Sequence, residues 1–192
     1  GDYTALLRGE YLTVRNEAGA EGSLDFSSDS NSNPTWTEAN ATQAEIDSYV
    51  FIHQVRDWAM YIAPEVSMST EPLISKVNQD QICNAYYDGS VNFFVEGSGQ
   101  GYSCNNTGRI ADVNYHEWGH GFHYYSLESN TYDSDISEGI GDTVATFMTL
   151  DPEIGPYFFT SGQGIREVAS NRIYPDDLRQ DPHENGLIFA GS

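Results

Sequence analysis

The sequence predicts an α+β fold, and three observations carry that expectation. Short β-type runs separated by Gly, Asn, Ser and Asp turns fill residues 1–35 and 73–95. Helical patterns follow Thr42 and run again over 109–127 and 137–150. The middle one carries His-Glu-Trp-Gly-His at 116–120, a spacing that a helix turns into a single face. The expected arrangement is an N-terminal mixed sheet-and-helix lobe with this central helix, residues 1–133. The start of a helical C-terminal lobe, residues 134–192, follows it.

Taken in order, residues 11–15 (YLTVR) alternate as a strand, and the Gly, Ser, Asn and Asp cluster of 19–33 reads as a long loop. Thr42 and Glu45 form a capping-box pattern ahead of an apolar helix that Pro64 stops. That helix is apolar around much of its girth and should be buried; His53 within it, with no metal-spaced partner, reads as a packing histidine. Residues 73–95 return to strand, Val91, Phe93 and Val95 facing one way and Asn92 and Phe94 the other. The glycine-rich stretch 97–108 has no lysine and no phosphate-binding signature, so it reads as a turn. The central helix holds Gly119 and Gly121, poor helix formers at about 1 kcal/mol each, which suggests close approach of another backbone or a substrate. Ser134 or Asp135 is the expected cap of the next helix, and 151–180 is loop-rich.

Composition narrows the function classes. Against 8 Lys plus Arg stand 29 Asp plus Glu, a formal charge of −21, and Lys76 is the single lysine. Such a surface repels nucleic acid and anionic membrane, so neither partner is expected. No 18-residue apolar run exists to span a bilayer. Cys83 and Cys104 suit no zinc knuckle; they are either a disulfide, which fits an extracellular protein, or two buried thiols. Asn40 and Asn105 stand in glycosylation sequons, meaningful only in a eukaryotic secretory pathway.

The chemistry is concentrated in three motifs. His116 and His120, one helical turn apart, can chelate a metal ion with Glu117 beside them to handle a proton. Glu138 and Asp142, four apart on a second helix, supply a third ligand and an acceptor for a ligating imidazole N–H. Three protein ligands leave the fourth position of zinc open, the catalytic arrangement. His123 reads as a packing histidine, because a fourth protein ligand would close that position.

The set NAYYDG, IADVNYHEWGHG and SEGIGD, in that order, resembles the thermolysin-like (gluzincin) zinc metalloendopeptidases, nearest their fungalysin-type branch. The resemblance covers about 78–192, with no match in the first 40 residues. It implies a zincin fold in which His116, His120 and Glu138 bind Zn2+, Glu117 is the general base, and Asp142 orients His116. It also implies that Asn84 and the Ala85 backbone pair with substrate as an added strand. Arg166 would grip a substrate carbonyl, unless it is an ordinary surface ion pair. His183 would stabilise the oxyanion, supported by Asp177 or Asp181. Tyr132, rather than Tyr125, would assist it. Val113, Ile154, Phe158 and Ile165 would line a pocket for a bulky apolar residue after the cleaved bond. The family's calcium cluster is represented by Asp112 and Glu153, with Thr149 where an acid is expected, so Ca2+ is a possible second ion. The helical lobe is truncated, which implies a longer protein whose remaining lobe covers the apolar run 187–190.

The expected function is therefore a secreted, extracellular zinc endopeptidase acting on peptide or protein substrates through a Glu-activated, zinc-bound water. The rivals are an aminopeptidase of similar zinc architecture, which lacks here a GxMEN-like stretch to anchor a free N-terminus, and a catalytically inactive binding or structural protein on the same fold.

Overall fold

The computed structural model describes residues 1–27, 33–99, 101–128 and 131–192. Its centre is a four-stranded sheet in the order β2 (Leu12–Asn16), β4 (Leu73–Gln79), β6 (Val91–Phe94), β5 (Ala85–Tyr87). β2, β4 and β6 are parallel, while β5 runs antiparallel to β6 with Ala85 opposite Phe93. β5 is thus an edge strand, with one side free to pair. Two ribbons flank this sheet: β1 (Asp2–Leu6) with β3 (Ser23–Ser27), and β7 (Gly97–Gly99) with β8 (Tyr102–Cys104).

Two differences from the sequence reading have local causes. β3 lies inside the stretch expected to be loop; its exposed Ser and Asp positions hide the strand pattern, and β1 supplies the pairing. The rest of that expected loop, 28–32, lies outside the described residues. β6 ends at Phe94, so Val95 of the expected strand lies beyond it, and all four of its residues are buried. An inner strand covered on both sides loses the polar-out alternation.

α1 (Gln43–Ile62) starts on the expected capping box, Thr42 accepting from the Glu45 N–H and Glu45 from the Thr42 N–H. Its Ile52, Val55 and Ala59 are fully buried, and Ser48 and Ser75 hydroxyls meet at 2.7 Å to tie α1 to β4. His53 packs against Tyr49 and Tyr11. α2 (Ala111–Ser126) is pinned through Trp118, whose Nε1 donates to the Tyr11 hydroxyl at 2.8 Å. That hydroxyl donates in turn to the Met68 carbonyl at 3.2 Å. Full burial of the Trp118 indole contributes on the order of 3 kcal/mol or more, judged by what truncating such a residue costs.

α3 (Ser134–Thr149) begins one residue earlier than Ser134 or Asp135 capping would give: Asp133 is the cap, accepting from the Ile136 N–H at 3.0 Å. α2 and α3 meet backbone to backbone. A Cβ on Gly119 would stand 2.8 Å from the Gly141 Cα, so the glycine serves helix packing and not substrate approach. β9 (Glu153–Ile154) and β10 (Arg166–Glu167) form a short antiparallel pair that sets Arg166 opposite Ile154. α4 (Pro182–Ala190) is capped by Asp181, has Pro at its start, and packs on α3 where Gly186 faces Gly139. No helix among the described residues is long and apolar enough to cross a membrane.

Candidate active site

α2 and α3 deliver four side chains to one point. His116 and His120 stand one turn apart with ring centroids at 4.7 Å. The Glu138 carboxylate reaches both, with Oε2 3.2 Å from His116 Nε2 and Oε1 3.6 Å from His120 Nε2. Glu117 is buried alongside, its Oε2 3.9 Å from His120 Nε2. The opposite edge of each imidazole is anchored. Asp142 Oδ1 lies 2.9 Å from His116 Nδ1, and Ser137 Oγ lies 2.8 Å from His120 Nδ1. An imidazole held at Nδ1 presents Nε2 to the site.

The electrostatics separate the two buried carboxyls. Burial pushes Glu117 up to about 7. Burial also opposes the charge on Glu138, but the His116 hydrogen bond and the neighbouring histidines outweigh it and bring it down to about 2. Asp142 behaves likewise: its bonds to His116 and Arg166 overcome burial and hold it near about 2. Burial lowers both histidines in principle. At His116 the hydrogen bonds to Asp142 and Glu138 reverse this and raise it to about 10, while His120, further depressed by its neighbour His116, falls to about 3. The two carboxyls are thus pushed in opposite directions, Glu138 towards its anion and Glu117 towards its acid form, the kind of division that acid–base catalysis uses.

The donor set fits a zinc ion. Glu117 Oε2 is buried with no hydrogen-bond partner among the described residues, a costly state that a cation among these side chains relieves. Two imidazoles and a carboxylate are the borderline nitrogen and oxygen donors zinc takes. His116, Glu117 and His120 donor atoms also lie within 4.8 Å of one another, so proximity alone does not choose the third ligand. The two Glu138 oxygens each face a different Nε2, at 3.2 and 3.6 Å, whereas Glu117 Oε2 stands 3.9 Å from His120 Nε2.

A cleft of about 660 Å³ opens over this cluster. Val113, Ile154, Phe158 and Ile165 line one end, Asn84 and Ala85 of the β5 side one wall, and Tyr132 and His183 the rim. Arg166 is no surface ion pair: its Nε and Nη2 grip the buried Asp142 at 2.8 and 2.5 Å. The carboxylate partner of His183 is Asp181, 2.8 Å from Nδ1, while His183 Nε2 lies 3.5 Å from Glu138 Oε2. Tyr132 donates to Ser137 Oγ at 2.8 Å. Tyr125 lies outside this cleft and in a neighbouring cavity. His123 is buried against the Tyr132 ring, with centroids at 5.4 Å, and stands outside the His116, Glu117 and His120 cluster. Asp112 and Glu153, the calcium candidates, sit away from the cluster. Asp112 Oδ2 accepts from the Gly155 N–H and Glu153 Oε1 from the Gly164 N–H.

Ser137 escaped the sequence reading. A lone serine carries no spacing signature, although its place one residue before Glu138 on the same helix puts it beside the ligands. Cys83 and Cys104 form a disulfide, with Cα atoms 5.3 Å apart, directly before Asn84.

Comparison with known proteins gives two matches. The family model described as thermolysin metallopeptidase, catalytic domain, matches residues 7–124, more than half of the chain. It begins well before the first motif, Asn84, and so includes a region in which sequence motifs show no likeness. Among solved structures, the precursor of protealysin, a metalloproteinase from Serratia proteamaculans, is similar in fold, with a TM-score of 0.59 at 18% identity. The similarity covers 81% of this chain and 57% of that one, so the chain spans little more than half the length of the structure it matches. No curated protein matches.

Proposed function

The chain belongs to the thermolysin metallopeptidases, and on that premise we propose that it is the catalytic part of a secreted zinc endopeptidase. The observation that carries the proposal is the convergence of His116 Nε2, His120 Nε2 and both Glu138 oxygens, with the buried Glu117 beside them. His116, His120 and Glu138 would hold a zinc ion, which would supply Lewis acidity for a carbonyl and for water near neutral pH. Glu117, raised to about 7 by burial, takes the proton of the attacking water and passes it to the leaving amine. The substrate adds as a strand to the free edge of β5, where Asn84 and Ala85 face the cleft. Arg166, held by Asp142, presents its guanidinium to a substrate carbonyl. His183 is held at Nδ1 by Asp181; a protonated ring then also offers a donor at Nε2 to the developing oxyanion, whereas Tyr132, whose hydroxyl donates to Ser137 Oγ, would assist only after giving up that bond.

The Val113, Ile154, Phe158 and Ile165 end of the cleft supports a preference for a bulky apolar residue after the cleaved bond, at about 0.8 kcal/mol per buried methylene. The disulfide supports secretion into an oxidising compartment. For calcium the fit is partial, since Thr149 is neutral and Glu153 Oε1 is engaged by a backbone N–H; the proposed function needs none. Phe147 and Leu150 on α3 and Phe189 on α4 are exposed, which supports a further part of the same protein packing there. Hydrophobic-dye binding by the isolated chain tests this, and no binding would count against it.

Glu117→Gln tests the central roles. It should retain one zinc per chain while peptide hydrolysis disappears, because it removes the base and no ligand. Loss of zinc, or undiminished turnover, would overturn the assignment. A wild-type chain that binds zinc and cleaves nothing would instead favour the inactive binding protein.

A further inference from the structure

Beside the cleft, on the far side of His120 from the apolar end, lies a second cavity of about 540 Å³. Its walls come from three separate segments: Tyr87 and Asp88 at the end of β5, Tyr124 and Tyr125 in the last turn of α2, and Tyr132 before α3. Four phenol rings at one cavity are unusual, and three of them stay 40–56% exposed. Burial does not explain such side chains, whereas a ligand does. The Tyr124 and Tyr125 rings stand nearly perpendicular, at 89° with centroids 5.4 Å apart, so they present a corner rather than a flat shelf.

The electrostatics of this corner have one sign. The Asp88 carboxylate is fixed by the Ser90 N–H at 3.1 Å and Asn92 Nδ2 at 3.0 Å, both on its Oδ1. The turn that places it depends on Gly89, whose φ of +98° suits glycine. Tyrosine ring faces are negative, and the last turn of a helix carries the negative end of its dipole. Among the described residues, no Lys or Arg lines the cavity. The Tyr132 hydroxyl is engaged by Ser137 and that of Tyr87 lies against Met68 Sδ at 4.0 Å, which leaves ring surface as what these two can offer.

We propose that this cavity is a subsite for a cationic side chain, arginine or lysine, on the N-terminal side of the cleaved bond. The inference rests on the peptidase reading above. The same β5 edge runs past both cavities, Ala85 lining the first and Tyr87 both, so one extended substrate strand can fill both. Its apolar residue lies beyond the cleaved bond, and its basic residue before it. An overall charge of −21 would favour cations anywhere along a substrate; the aromatic corner favours one at a single position.

The test uses labelled peptides with leucine after the intended bond and arginine, citrulline or leucine at each of the three positions before it. Affinity is read by fluorescence anisotropy on the zinc-loaded Glu117→Gln protein, and hydrolysis on the wild type. Arginine should bind at least fivefold tighter than citrulline at one position only. In the double variant Asp88→Asn, Tyr124→Leu, and separately in Tyr125→Leu, that ratio should shrink at least threefold. Equal binding of arginine and citrulline at all three positions, a preference for leucine, or a ratio unmoved in both variants would overturn the proposal. Absence of hydrolysis of every peptide by the wild type, with the binding preference present, would remove the peptidase reading and leave the cation subsite standing.

Discussion

At the scale of the residue, Ser137 bears on which nitrogen of His120 faces the proposed metal position. For Nε2 to carry a free lone pair, the ring proton must sit on Nδ1, so the 2.8 Å contact must be His120 donating to Ser137 Oγ. Tyr132 donates to the same oxygen, whose two lone pairs are then used. Ser137→Ala should therefore weaken zinc affinity about 10–100-fold, as the loss of a ligand's outer partner does, and it should free Tyr132. A chelator titration identical to wild type would remove Ser137 from the site. Asp142, by contrast, was legible from its four-residue spacing to Glu138, because helical geometry made the spacing meaningful. Asp112 gives a second prediction. Burial, opposed by its hydrogen bonds to Thr149 and the Gly155 N–H, raises it to about 6. The folded chain then holds a proton that the unfolded chain releases near pH 4, so this group lowers stability as pH rises from about 4 to 6, by on the order of 3 kcal/mol. In calcium-free buffer Asp112→Asn should flatten that decline in urea unfolding between pH 4 and 7. An unchanged slope would contradict the assignment.

At the scale of the element, the α2–α3 contact places His116 against Gly141 as well as against its acids. A Cβ on Gly141 would stand 2.7 Å from His116 Nδ1, and one on Gly119 2.8 Å from the Gly141 Cα. Gly119→Ala raises helix propensity by about 1 kcal/mol, yet it should lower the melting temperature, since overpacking a close contact costs about 1–3 kcal/mol. A raised melting temperature would show that the helices can part. The elements differ in how plainly the sequence announces them. Thr42 with Glu45, and the stop at Pro64, mark α1 because the signals are local. β7 and β8 were hidden in a glycine-rich stretch: although they pair locally as a hairpin, strands of three residues such as Gly-Ser-Gly have no apolar alternation to announce them. Arg166 was hidden for another reason, since only the β9–β10 pairing sets it beside Asp142.

At the scale of the whole molecule, the Cys83–Cys104 disulfide joins the two walls of the cleft. Cys83 precedes Asn84, while the residues after Cys104 hold the opposite wall through Asn105, whose N–H donates to the Phe158 carbonyl at 2.9 Å. Replacing both cysteines by serine should cost about 3 kcal/mol of stability for a loop of this length, read as a lower denaturant midpoint with a slope that rises as the unfolded chain expands. No change in midpoint would mean the walls are held by other contacts. The central claim concerns the ion and not the walls: two helices bring His116, His120 and Glu138 around one zinc, with Glu117 outside its bonds. Anomalous diffraction at the zinc edge on crystals of the zinc-loaded chain measures this directly. The account predicts a single strong peak about 2.0–2.2 Å from His116 Nε2, His120 Nε2 and a Glu138 oxygen. A peak bonded to Glu117 with Glu138 turned away, or no peak between α2 and α3, would contradict it.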